Sequence, residues 1–241
     1  MSATGWLYLI IGIGWVFSLV VQGWLRNTYR RWSQVRNSLN MPGADVARHL
    51  LDKNNMREFR VTMQRGSLTD HYDPRSKTVS LSERIFLEPS VASAAVAAHE
   101  TGHALQDKTN YSVMRLRHKM LPIAQIGAQY GPWAAIVGWF MGSDTLIQIG
   151  FILFAAALLF QILSLPIEFD ASRRARRQMA DMGLDSESDR VGAHKVLRAA
   201  AMTYVANAAT AMGQIVFVLV FAGRGLFKKF FEPPAPSPPP P

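Results

Sequence analysis

Two uncharged apolar runs, residues 122–141 and 146–167, are separated only by residues 142–145. Each is about long enough to cross the hydrocarbon core of a bilayer as a helix, so the pair predicts a tight transmembrane hairpin with Asp144 at its tip. A third run, residues 5–24, precedes Arg26, Arg30, Arg31 and Arg36, and it lacks the basic start and small-residue cleavage site of a secretory signal. It reads as a retained anchor. A fourth, residues 203–223, is long enough to span, although Asn207 and Gln214 make it less lipid-like. It is expected to be a span, with a helix buried against the others as the alternative.

The charge distribution follows these runs. Lys and Arg number 26 against 17 Asp and Glu, a formal net charge of +9, and the excess lies after the first run, in RLRHK before the hairpin and in RRARR after it. Under the positive-inside rule these flanks face the cytoplasm, with the N-terminus and hairpin tip outside. Basic residues that track membrane edges without interleaved aromatics argue against nucleic-acid binding. With no cysteine in the chain, any metal must be held by His, Asp or Glu.

Between anchor and hairpin the pattern is mixed. DVARHLL, residues 45–51, reads as a short amphipathic helix after the Pro42-Gly43 break. Residues 59–63 and 78–81 alternate apolar and polar side chains around the turn-rich GSLTDHYDPRSK, which predicts a small sheet. Thr78, Val79 and Ser80 are candidates for an edge strand on which an extended peptide could pair its backbone. From Val91 the Ala-rich VASAAVAAHETGHALQ reads as a helix ending at residues 107–110. The proline-rich tail cannot pack a core.

Within that helix His99 and His103 share one face, a turn apart, and suit a single zinc ion. Glu100, adjacent to His99, is placed to take a proton from a water and pass it to a leaving amine. A third ligand must come from elsewhere. Asp107 follows the helix, while Glu168 and Asp170 follow the hairpin in LPIEFDASRRARR. A hairpin that enters and leaves on one membrane face returns the chain near Lys119, which can bring Glu168 beside the HETGH helix. The alternative for Glu168 is an interfacial carboxylate paired with Arg173, Arg174, Arg176 or Arg177.

LTDHYDPRSKTVSLSE, VAAHETGHALQ, the apolar hairpin and LPIEFDASRRA, in that order and spacing, resemble the membrane-bound neutral zinc metallopeptidases of the YugP type. The resemblance covers nearly the whole chain apart from the tail. It implies a zinc endopeptidase with one Zn2+ per chain, His99, His103 and Glu168 as ligands and Glu100 as catalytic base. More distantly the chain resembles other gluzincin membrane proteases, which often place an Asp four residues after the ligand Glu. Here that position is Ser172, which leaves the orienting carboxylate to Asp170 or Asp73. His71, Tyr72, His194 and Tyr204 are candidate oxyanion donors.

The expected architecture is α+β: a mostly helical integral membrane protein with a transmembrane hairpin and a small sheet in a cytoplasmic gluzincin-like protease domain. Its expected segments are an anchor (1–25), a cytoplasmic metalloprotease part with the HETGH helix (26–120) and the hairpin (121–167). A cytoplasmic helical part carrying the third ligand (168–202), a fourth span (203–223) and a basic, proline-rich tail (224–241) follow. The expected partners are the lipid bilayer and membrane-associated or misfolded protein substrates, at the cytoplasmic face of a bacterial inner membrane. A membrane-protein complex stays open as a further partner. Two other readings compete: an intramembrane protease, disfavoured because the histidines precede the hairpin, and a noncatalytic membrane scaffold or assembly partner that retains a zinc site.

Overall fold

The computed structural model describes residues 3–221, so the proline-rich tail and the end of the fourth apolar run lie outside the described residues. The element order is α1 (Ala3–Trp32), α2 (Gly43–Lys53), β1 (Arg60–Gln64), β2 (His71–Asp73), β3 (Thr78–Ser82), α3 (Glu83–Leu87), α4 (Val91–Lys108), α5 (Ser112–Met141), α6 (Asp144–Asp181) and α7 (Glu187–Phe221). The chain is mostly helical with one three-stranded sheet, and the expected helices and strands of the segment before the hairpin appear within a few residues of their predicted bounds. Helix α6 passes through Pro166 without a break and carries both the third apolar run and the RRARR segment.

Two compact units are formed. One comprises residues 17–119 and 161–207; the other comprises, of the described residues, 3–16, 120–160 and 208–221. The core of the first unit contains Leu50 and Leu51 of α2, Val79 and Leu81 of β3, Ile85 of α3, Ile167 and Met179 of α6 and Val196 of α7. Helix α4 is enclosed by this core: Ala92, Ala94, Ala95, Ala97, Ala98 and Ala104 are all fully buried. Small side chains allow neighbours to approach a helix closely on several faces. Its start is set by Ser90, whose Oγ accepts a 3.0 Å bond from the Ser93 N–H.

In the sheet β3 is the middle strand, parallel to β1 and antiparallel to β2. Thr78, Val79 and Ser80 are each paired on both sides, with Arg60–Thr62 and with Asp73–His71. This corrects the edge-strand expectation for those three residues: their backbone groups are already committed to the ladder. The alternation that marked a strand could not reveal that HYD, within the turn-rich stretch, would cover its second side. A peptide adding to this sheet would have to pair with β1 or β2.

In the second unit α5 and α6 form a helical hairpin. Gly142, at φ +66°, ends α5, and Ser143 N–H donates to the Gly138 carbonyl at 2.8 Å. The helices meet through small residues: a Cβ on Gly150 would lie 2.6 Å from the Ala135 nitrogen and 2.7 Å from the Gly131 oxygen. Among the described residues α6 is the one helix long and apolar enough to cross a membrane, and 22% of its most apolar stretch is buried. The other three expected runs lie in α1, α5 and α7. On α5, Trp133, Phe140 and Met141 are exposed.

Candidate metal centre

His99 and His103 stand one turn apart on α4, their rings 4.7 Å apart and edge to face. Opposite them α6 brings Glu168. Its Oε2 lies 3.2 Å from His99 Nε2 and 3.6 Å from His103 Nε2. One potential ligand atom from each of the three residues falls within 4.8 Å of the others. The close approach of the two helices depends on Gly102, where a Cβ would meet the Ala171 carbonyl oxygen of α6 at 2.8 Å.

The electrostatics follow from burial and charge. Burial disfavours a protonated His103, but the Glu168 carboxylate outweighs it and pushes the pKa up to about 9. The same contact, seen from Glu168, holds that carboxyl well below the usual carboxylate range although burial alone would raise it. Glu100 is buried, and desolvation raises its pKa against the opposing pull of His99 and His103. It is thereby shifted toward the range a general base needs near neutral pH.

Around this group the remaining nitrogens are occupied. His99 Nδ1 lies 3.2 Å from Ser172 Oγ, and His103 Nδ1 lies 2.9 Å from Gln106 Oε1. Both Nε2 atoms are thus turned to Glu168. Two imidazole nitrogens and one carboxylate oxygen form the donor set of a three-ligand zinc site, and the tethered second nitrogens are the arrangement such ligands require. The residues present fit the metal.

Two side chains at Glu168 complete the surroundings. Arg117 of α5 places Nη2 3.7 Å from Glu168 Oε1, with only 21% of its side chain exposed. The Tyr204 hydroxyl of α7 bonds the same carboxylate. Arg117 was hidden in the sequence inside RLRHK, whose charges the membrane flank already explained. Gln106 was visible only as a Gln three residues beyond His103, a spacing that fits a partner on the same helix face.

Other candidates lie elsewhere. Asp170 does not touch a histidine; it accepts from Gln106 Nε2 at 2.9 Å and pairs with Arg174 at 2.6 Å. Asp73 accepts from Arg75 N–H and Ser76 Oγ in the β2–β3 turn. Neither carboxylate therefore orients a histidine directly, and Ser172 and Gln106 occupy those places. Asp107 accepts from the Tyr72 hydroxyl at 2.8 Å, which engages both residues away from the histidines. His71 contacts the Thr69 carbonyl, and His194 accepts from Arg176 at 3.3 Å.

Residues 7–223 match the family described as "Putative neutral zinc metallopeptidase". The chain is also 39% identical over 198 residues to the "Putative membrane protease YugP" of Bacillus subtilis (strain 168), covering 82% of this chain and 88% of that protein. No solved structure matches. With a match over nine-tenths of its length and the HETGH helix facing Glu168, the chain belongs to the neutral zinc metallopeptidase family of that description.

Proposed function

We propose that the chain is a membrane-anchored zinc endopeptidase in which His99, His103 and Glu168 hold one Zn2+ and Glu100 is the catalytic base. The observation that carries this reading is the convergence of two Nε2 atoms and one carboxylate, with a buried Glu100 of raised pKa beside them. Zinc bound there supplies a Lewis acid that acidifies a water and polarises the scissile carbonyl. Glu100 takes the proton from the attacking water and hands it to the departing amine. Tyr204, whose hydroxyl already faces Glu168, is the candidate donor to the developing oxyanion. Ser172 and Gln106 hold the imidazoles in place while this proceeds.

The apolar runs, the basic flanks and the "membrane protease" description of the relative support spans at 5–24, 122–141, 146–167 and 203–223, with the site facing the cytoplasm. The tail (224–241) follows the fourth span. Substrates are membrane proteins, their juxtamembrane segments or misfolded chains, because tethering enzyme and substrate to one bilayer raises their encounter frequency.

The test is zinc content measured together with cleavage of an unfolded protein, in detergent, before and after chelation. The wild type should carry one zinc and lose cleavage reversibly on chelation. Glu168→Gln should lose zinc, whereas Asp107→Asn should keep it. Zinc loss from Asp107→Asn with Glu168 dispensable would overturn the ligand assignment.

A further inference from the structure

Gln106 is fully buried at the end of the HETGH helix, and all of its polar atoms are engaged. Its Nε2 lies 2.9 Å from the Ile167 carbonyl oxygen and 2.9 Å from Asp170 Oδ2. A backbone carbonyl only accepts, and so does the Asp170 carboxylate, which is ion-paired with Arg174 Nε at 2.6 Å. The atom facing these two acceptors must therefore be the amide nitrogen, with both of its hydrogens spent. The amide oxygen then points the other way, at His103 Nδ1, 2.9 Å distant. An amide oxygen cannot donate, so His103 Nδ1 must carry hydrogen.

We propose that Gln106 is a positioning residue that fixes the tautomer and ring angle of His103, leaving Nε2 as the metal-binding nitrogen. Asp170 and the Ile167 carbonyl set the orientation of the amide, so the α6 backbone one residue before Glu168 is tied to a histidine on α4. The third ligand and the second histidine are in this way locked to one another through a single side chain.

His99 has no such constraint. Its Nδ1 faces the Ser172 hydroxyl at 3.2 Å, and a hydroxyl can donate or accept as it rotates. The two histidines are therefore unequal: His103 is preset for the metal, and His99 adjusts to it. An outer partner of a ligand histidine typically contributes about 10- to 100-fold in metal affinity. Gln106 should lie at the upper part of that range and Ser172 at the lower.

This inference rests on the zinc reading above, and the experiment separates the two. Zinc dissociation constants are measured by chelator competition on wild type, Gln106→Leu and Ser172→Ala, each in full-length form in detergent. The metal-free melting temperature of each is recorded alongside. Leu has nearly the volume of Gln, so a packing role alone would leave zinc affinity unchanged. The expected result is a loss of about tenfold or more for Gln106→Leu, exceeding that for Ser172→Ala. Nitrogen-15 spectra of the zinc-loaded wild type, labelled at histidine, should show metal at Nε2 and a hydrogen at Nδ1 of His103. Metal at Nδ1, or wild-type affinity in Gln106→Leu, overturns the proposal and leaves the zinc reading intact. No zinc in the wild type overturns both.

Discussion

Replacing Gly102 with alanine adds one methyl group at the point where α4 and α6 are closest. That Cβ would meet the Ala171 carbonyl oxygen at 2.8 Å, and ordinary van der Waals contact begins near 3.4 Å, so the helices must part by about 0.6 Å. The obstacle is backbone, not the end of a flexible side chain, and cannot turn aside. Overpacking of this kind costs about 1–3 kcal/mol, while the better helix propensity of alanine returns about 1 kcal/mol. Fold stability should therefore change only modestly. The metal site is more sensitive, because Glu168 and Ser172 are on the α6 side of the gap and both histidines are on the α4 side. Zinc ligand distances tolerate only about 0.2 Å, so a 0.6 Å separation should weaken zinc binding at least about tenfold. Chelator competition reads the affinity and the melting temperature of the metal-free protein reads the fold. Gly23→Ala, where nothing lies within 4 Å of the added carbon, is the control and should bind zinc as wild type does. Wild-type zinc affinity in Gly102→Ala would refute the claim that close helix approach assembles the site.

The remaining predictions concern pH and topology. Because His103 gains a proton partner in Glu168, its pKa in the metal-free fold is raised from 6.5 to about 9. The stability this pair contributes is fully present below pH 6.5 and is lost as pH rises through about 9, so the metal-free melting temperature should fall over that window. Zinc must displace the same proton, so zinc affinity should rise by about tenfold per pH unit across it; a pH-independent affinity would contradict the His103–Glu168 pairing. For topology, the chain contains no cysteine, and Ser143→Cys at the hairpin tip should react with an impermeant thiol reagent outside intact cells while Ser67→Cys should not. Labelling at Ser67→Cys alone inverts the orientation.

Much of this arrangement could be read from the sequence because its signals are local. The His99–His103 spacing needs nothing beyond helix periodicity, and the apolar runs are recognised by length and composition. The order of strands is a different kind of information: the alternation in TVSLS marks a strand but says nothing of its neighbours, and a second strand at His71–Asp73 turns the expected edge into the centre of the sheet. The surroundings of the histidines were hidden for a related reason. Carboxylates are the common partner of ligand imidazoles, so the sequence points to an Asp, yet Asp170 contacts Gln106 and not a histidine, and Ser172 stands in contact itself. Arg117 carried two meanings at once. Its charge fits a membrane flank, and only the fold shows it directed at Glu168.

The central claim is that two histidines and Glu168 hold the metal while Glu100 moves the proton, and one variant separates those roles. Glu100→Gln keeps the size of the side chain and removes its basicity. Zinc content and hydrolysis of an unfolded protein are measured on the same purified preparation. One zinc per chain with hydrolysis lowered by about a hundredfold or more is the predicted result, in the range expected for loss of a general base. Full hydrolysis in Glu100→Gln would contradict the account, and so would loss of the zinc together with the activity.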